Sequence, residues 1–366
     1  MTFKVAQLLE LPGMPPYQEI FKQAGVKAKL IKKIDPIPLT EDQIIAAVGD
    51  ADAAIAGTTV QPFSRKVLAT LQNCRFVMSI GIGYDNLDVD AATELGILAA
   101  NIPDYCLEEV SDHAMALILA CTRRVVQLDG IVKKGGWQSQ AEPYIQSEIW
   151  PKLSRLHGQT LGLVGLGRIA RALVPKAKGF GLKIIAYDPY IEPKVFRELE
   201  VEKVNLDQLL TRSDIVSVHV PLIPETKHLL GLRQLKRMKP TACLINTARG
   251  PLVDHEALYL ALSKGYISAA AIDVTDPEPL PTDSPLLKLD NIIVTAHCGG
   301  LSPLAFDEML RRPGEEIIRV VRGEWPVGLL NPQVKTRYYQ RWGAGLTQQQ
   351  GKLRHKDVAR RNDGER

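Results

Sequence analysis

Residues 160–190 read TLGLVGLGRIARALVPKAKGFGLKIIAYDPY. The apolar run Leu161 to Val164 has the length and flanks of a buried strand. Gly165, Gly167 and Ala170 form a G-x-G-x-x-A turn, and Arg168 to Lys178 follows as a helix with apolar Ile169, Leu173 and Ala177. Lys183 to Tyr187 is a second strand that ends on Asp188. Each part has a physical task. Gly165 permits the tight turn, Gly167 lets backbone approach a pyrophosphate, and Ala170 lets the helix pack closely on the strand. The free N–H groups at the helix start would hold the diphosphate. Asp188 would accept the ribose hydroxyls and repel a 2′-phosphate. Pro189 and Tyr190 offer no arginine in compensation, so the pattern points to NAD. A glycine turn alone is weak evidence, whereas strand, turn, helix, strand and acid in order make a dinucleotide site.

Outward from this stretch the same rhythm continues. Upstream, strands are expected at Phe3 to Leu9, Val26 to Ile31, Ala53 to Ala56, Phe76 to Ser79 and Ile97 to Ala99, with helices over Tyr17 to Ala24 and Glu41 to Val48. Downstream, strands are expected at Asp214 to His219, Ala242 to Thr247, Ser268 to Val274 and Asn291 to Ala296, with a helix over Asp254 to Ser263. Alternating strands and helices imply an α/β fold with mostly parallel sheets. Tyr105 to Lys134 reads as one long helix, residues 137–157 as a poorly patterned connection, and Pro303 to Gly323 as a helix that Pro313 kinks or divides. Periodicity is lost from Lys335 onward, where a disordered tail is expected.

The chain has 366 residues, enough for two or three domains; 45% are hydrophobic and 23% charged, as in an ordinary globular protein. No apolar run approaches the ~20 residues of a membrane span, and MTFKVAQLLELPG does not read as a signal peptide. Five cysteines without a C-x-x-C pair point to reduced thiols and a cytoplasmic location. No metal-ligand spacing stands out. The net charge of +4 resides in the tail: residues 335–366 hold nine Lys/Arg against three Asp/Glu, and the remainder holds 36 against 38. The body is therefore close to neutral, with no membrane partner and no nucleic-acid partner expected, and the tail reads as a solvated terminus.

Chemistry collects at strand ends, where loops of a parallel sheet converge. The loop Ile80, Gly81, Ile82, Gly83 follows the Phe76 strand, and its glycines bare backbone N–H groups suited to a carboxylate. Arg249, Glu278 and His297 each follow a separate strand of the second region. A guanidinium can grip a carboxylate at two points and polarise a neighbouring carbonyl. An imidazole can give and take the proton of a hydroxyl–carbonyl couple. A carboxylate beside the imidazole orients it and favours its protonated form. Together they suit hydride exchange between a nicotinamide and a 2-oxo acid.

The motifs GLVGLGRIA, HVPLIPET, INTARGPLVD, AIDVTDPEPLP and TAHCGG resemble the D-isomer-specific 2-hydroxyacid dehydrogenases over residues 1 to about 332. The resemblance implies two Rossmann-like lobes: a flavodoxin-like substrate domain (1–102 and 299–334) with an inserted NAD-binding Rossmann domain (103–298), followed by the basic tail 335–366. It implies catalytic roles for Arg249, Glu278 and His297, and substrate binding by Arg249 and the Ile80–Gly83 loop. It assigns Arg168 and Ile169 to the pyrophosphate, Asp188 to ribose and Asp273 to the nicotinamide amide. His219, Val220, Pro221, Thr247, Ala248 and Gly299 also join the cofactor site by resemblance. The implied partners are a small 2-oxo or 2-hydroxy acid and a second copy of the chain, as a homodimer. Two positions depart from the family pattern. Ser79 stands where relatives handling phosphoglycerate tend to carry a basic residue, so an unphosphorylated substrate is expected, and Ala296 replaces a proline before the histidine. The EEVSDHAMALILA region is similar to the C-terminal binding protein branch, which supplies the alternative of an NAD(H)-sensing regulatory or corepressor-like scaffold.

Overall fold

The computed structural model describes residues 2–32, 38–137 and 142–343. In chain order the first part contains β1 (Phe3–Gln7), α1 (Tyr17–Gln23), β2 (Ala28–Lys32), α2 (Glu41–Val48), β3 (Ala53–Ala56), α3 (Arg65–Thr70), β4 (Phe76–Ser79), α4 (Val89–Glu94) and β5 (Leu98–Ala100). The middle part runs through α5 (Leu107–Thr122), α6 (Val125–Lys133), a single turn α7 (Glu142–Tyr144), β6 (Thr160–Val164), α8 (Arg168–Gly179), β7 (Lys183–Tyr187), α9 (Pro193–Glu198) and β8 (Glu202–Lys203). It continues with α10 (Leu206–Arg212), β9 (Ile215–Val218), α11 (Leu232–Leu235), β10 (Cys243–Asn246), α12 (His255–Ser263), β11 (Ala269–Ile272) and β12 (Ile292–Val294). The chain then forms α13 (Pro303–Val321) and α14 (Lys335–Trp342).

Two compact units result: residues 1–105 with 307–366, and residues 106–306. The first holds a five-stranded parallel sheet in the order β2-β1-β3-β4-β5, the flavodoxin-like arrangement. The second holds a seven-stranded parallel sheet, β12-β11-β10-β9-β6-β7-β8. Counted from β6, this is the doubly wound dinucleotide order with one further strand. Its strand order reverses between β6 and β9, and the glycine turn after β6 lies at that switch point. Strands covered on both faces are largely apolar: β3, β4, β9, β10 and β11 are buried at every position, with Ser79, Ser217 and Asn246 their polar residues.

Three features differ from the sequence expectations. The long helix over Tyr105 to Lys134 is two helices, because Arg124 takes a left-handed φ of 55° between α5 and α6. Its Nη2 donates to the Ser268 carbonyl at 3.0 Å, a long-range bond that no local periodicity records. Pro313 does not divide α13, which is continuous over 19 residues. A helical proline costs about 3 kcal/mol, but Leu310, Ile317 and Val320 of this helix are buried, and each such side chain contributes roughly 1.5–3 kcal/mol. The hydroxyl of Tyr17 also donates to the Leu310 carbonyl in the turn before the proline.

The third difference is the tail. Residues 335–342 form α14, with Tyr338 buried and edge-on to Trp325. The basic side chains of α14 complete the carboxyl end of α4: Arg337 donates to the Glu94 carbonyl at 2.9 Å and Arg341 to that of Leu95 at 2.6 Å. Trp342 Nε1 donates to the Gly96 carbonyl at 2.8 Å. Cations are favoured at a helix carboxyl end, so charge that reads as a solvated terminus is used for docking. The expected disorder of residues 344–366 lies outside the described residues.

Candidate active site

The amino end of α8 is built for an anion. Gly165 has a φ of 95°, and a Cβ there would lie 2.8 Å from the His219 carbonyl oxygen, so only glycine closes this turn. A Cβ at Gly167 would meet nothing nearer than that same oxygen at 4.0 Å, leaving open space above the turn. No side chain caps α8, whose first intrahelical bond runs from Arg171 N to the Gly167 carbonyl. The N–H groups of Arg168 and Ile169 therefore have no helical acceptor. Asp188 Oδ2 accepts Leu166 N at 2.9 Å, and Oδ1 accepts Tyr190 N at 3.0 Å and Ile191 N at 3.2 Å. The acid is thus fixed beside the glycine turn, with lone pairs left for further donors. Thr247, at the end of β10, has a buried hydroxyl oxygen without a partner among the described residues. An open cradle, uncapped amides and an orphaned hydroxyl fit a dinucleotide.

His219 and Val220 follow β9, and the Pro221 carbonyl accepts the Thr226 hydroxyl at 2.7 Å. His219 Nε2 lies 2.8 Å from Ser217 Oγ, and burial pushes this imidazole down from 6.5 to about 4. Between these values the unfolded chain binds a proton that the folded chain refuses. Stability from this group is therefore complete above about pH 6.5 and is lost as pH falls toward 4, by about 3 kcal/mol in all. The expected result is a smaller fall in Tm for His219→Gln than for the parent between about pH 7 and pH 5, measured by calorimetry.

Arg249, Glu278 and His297 follow β10, β11 and β12, three adjacent parallel strands. His297 Nδ1 lies 2.5 Å from Glu278 Oε1. A carboxylate only accepts, so Nδ1 carries the proton and Nε2 is left to exchange one. Glu278 is also held by its own turn, with Oε2 accepting Thr275 N at 3.4 Å. The Arg249 loop is shaped by Asn246, whose Nδ2 donates to the Arg249 carbonyl at 2.8 Å and whose Oδ1 accepts Ala248 N at 3.1 Å. Arg249 Nη1 donates to the Ala248 carbonyl at 2.7 Å. A Cβ at Gly250 would lie 2.0 Å from the Thr275 carbonyl oxygen, so the Arg249 loop presses directly on the turn that carries Glu278. Asp273 and Gly299 belong to the same sheet edge: Gly299 N donates to Asp273 Oδ2 at 2.9 Å. Asn246, Thr295 and His113 were not singled out by the sequence reading, although all three lie in stretches that it quoted.

The predicted substrate loop belongs to the other unit. Three of its carbonyls are tied back: Gly81 O accepts Ile102 N at 3.0 Å, Ile82 O accepts Asn101 Nδ2 at 2.6 Å and Gly83 O accepts Ser79 Oγ at 2.9 Å. Ser79 is fully buried and also pairs with Thr58 at 2.7 Å. It therefore supports the loop from beneath instead of lining a pocket. With the carbonyls tied back, the N–H groups of Gly81, Ile82 and Gly83 form a bare donor edge.

A doubly wound parallel sheet with a dinucleotide turn at its switch point, and an imidazole–carboxylate pair at its edge, defines a nicotinamide-dependent oxidoreductase. A sequence profile of the D-isomer specific 2-hydroxyacid dehydrogenase NAD-binding domain matches residues 115–299. A glyoxylate reductase of Korarchaeum cryptofilum is 41% identical over 300 residues, covering 82% of this chain and 89% of that protein. A D-3-phosphoglycerate dehydrogenase of Methanocaldococcus jannaschii is 40% identical over 80% of this chain, which spans only 54% of that protein. The crystal structure of the Aquifex aeolicus D-lactate dehydrogenase complexed with NAD and lactic acid superposes with a TM-score of 0.71 at 26% identity, covering 88% of this chain and 96% of that one. The chain belongs to the D-isomer specific 2-hydroxyacid dehydrogenases, a family of NAD-dependent oxidoreductases.

Proposed function

We propose that this enzyme reduces a small, unphosphorylated 2-oxo acid to the D-2-hydroxy acid, and catalyses the reverse oxidation. The observation that carries the proposal is the 2.5 Å contact between His297 Nδ1 and Glu278 Oε1 at the edge of a dinucleotide-binding sheet. NAD, when bound, supplies or accepts the hydride. The free amides of Arg168 and Ile169 hold its diphosphate, Asp188 holds the ribose, and Thr247 Oγ1 gains the partner that it lacks. Gly165 and Gly167 keep the turn open, while the loops at His219–Pro221, Ala248, Asp273 and Gly299 line the same sheet edge.

Arg249 grips the substrate carboxylate and polarises the keto oxygen. His297 Nε2 delivers a proton to that oxygen during reduction and removes it during oxidation. Glu278 fixes the tautomer and offsets the charge of the protonated ring. In the first unit, the N–H edge of Gly81 to Gly83 supplies donors that suit a carboxylate. The comparisons favour the enzyme over a nicotinamide-sensing scaffold, since the relatives are named as reductases and dehydrogenases.

We also read the enzyme as a cytoplasmic homodimer. Exposed Val126 and Tyr144 border a groove of about 410 Å³ that reaches edge strand β12 at Ile292 and Ile293, a surface suited to a second copy. Five free cysteines support a reducing compartment. No described helix is long and apolar enough to cross a membrane.

The test is NADH consumption with glyoxylate, hydroxypyruvate, pyruvate and 3-phosphohydroxypyruvate, repeated with NADPH. Turnover of an unphosphorylated acid with NADH preferred is expected. A preference for the phosphorylated acid overturns the substrate assignment, and turnover of none overturns the function.

A further inference from the structure

Three successive amides end on one residue. His297 N donates to the Asp273 carbonyl at 2.8 Å, Cys298 N to Oδ1 at 3.0 Å and Gly299 N to Oδ2 at 2.9 Å. Between them His297 holds a left-handed φ of 51°. A residue with a side chain is strained in such a conformation, which persists only where its surroundings over-determine it.

The over-determination can be traced further. Thr295, two residues before the histidine, donates its hydroxyl to Asp273 Oδ1 at 2.5 Å. His113 Nε2, on α5, lies 3.1 Å from that hydroxyl oxygen. The single threonine proton is committed to the carboxylate, so the ring nitrogen must be the donor. The chain of donors is then His113 Nε2–H to Thr295 Oγ1–H to Asp273 Oδ1. Gly299 permits its closure, because a Cβ there would lie 2.9 Å from Asp273 Oδ2 and 3.1 Å from the His113 ring. Asp273 is only 2% exposed. Burial alone would raise its carboxyl, but the His113 ring nitrogen 3.5 Å from Oδ1, with the hydrogen bonds from Thr295 and the two amides, holds it well below the usual carboxylate range.

We propose that His113 and Thr295 are positioning residues: through Asp273 they fix the left-handed turn that aims His297, and so act on turnover instead of on binding. Glu278 anchors the imidazole at its ring, whereas this relay anchors it at its backbone. The inference rests on the role of His297 proposed above.

Thr295→Val removes only the hydroxyl, and His113→Phe keeps a ring without its donor. Each is expected to lower kcat on the order of ten- to a hundred-fold, as a misplacement of about 1 Å does, with the oxo-acid KM and the NADH Kd within about two-fold of the parent. Thr295→Ser and His113→Gln retain a donor and should recover most of the lost turnover. Independently of any reaction, amide hydrogen exchange across residues 296–300 should accelerate in the Val and Phe variants and recover in the Ser and Gln variants. Parent-like kcat and exchange in both disruptive variants would overturn the proposal. So would a rise in KM and NADH Kd as large as the fall in kcat, or a Ser variant as impaired as the Val variant. If the parent enzyme reduced no 2-oxo acid, the assigned function would fail, and the exchange measurement would still decide whether the relay holds the turn.

Discussion

Replacing His297 with Gln is expected to lower kcat by roughly 10²–10⁴-fold, the range of general acid–base catalysis, while NADH binds as before. The amide fills a similar volume but cannot deliver a proton from the position of Nε2. On the proposed reading the dinucleotide is held elsewhere, at the Gly165 turn and Asp188, and titration of NADH fluorescence should show its affinity unchanged. Glu278→Gln is expected to lower kcat less, because an amide can still contact Nδ1 but no longer offsets the charge of the imidazolium. Arg249→Lys should instead raise KM strongly and lower kcat as well, since an ammonium cannot reproduce a planar two-point grip. Near-normal turnover of His297→Gln, measured at saturating substrate, would remove the imidazole from the mechanism.

The second large effect concerns stability. A chain ending at residue 334 lacks α14, with buried Tyr338 and the Arg337, Arg341 and Trp342 bonds to the end of α4. Truncating one buried aromatic side chain typically costs about 3–5 kcal/mol, so loss of the whole helix should depress Tm markedly or prevent folding. A chain ending at residue 343 keeps these contacts and should melt as the full chain does. Equal melting of the two truncations would show that the helix contributes nothing to the fold. Arg75 adds to the expected difference, since its guanidinium lies 5.1 Å from the Trp342 ring that the shorter chain lacks. Such a contact is worth about 0.5–2 kcal/mol, according to how far it is desolvated.

Much of this architecture was legible because local and global preferences agree. Strands β4 and β7 have the bounds expected from the sequence, Phe76–Ser79 and Lys183–Tyr187. Helix α2 starts at Thr40, whose side chain and that of Gln43 cap each other's backbone. What escaped the sequence was settled by distant partners. Arg124 breaks a continuous helical pattern for a carbonyl on another element, and α14 has too few apolar residues to show a period because arginines dock it. The three chemical residues were readable from their strand-end positions, since strand order brings such loops to one edge. The residues that hold them in place were not. Thr295 and His113 are separated by 182 positions, and nothing in either local sequence marks them as neighbours. Ser79, read in the sequence only as the lack of a basic residue before the glycine loop, proves to be buried beneath that loop and bonded to Gly83 O and Thr58.

Gly250 carries one more consequence. With backbone packed against backbone, the Arg249 loop and the Glu278 turn have no slack between them. The two behave as a single casting, and neither can drift without the other. New specificity in an enzyme of this shape must therefore be sought in side chains and surface loops, because at position 250 the genetic alphabet has one usable letter.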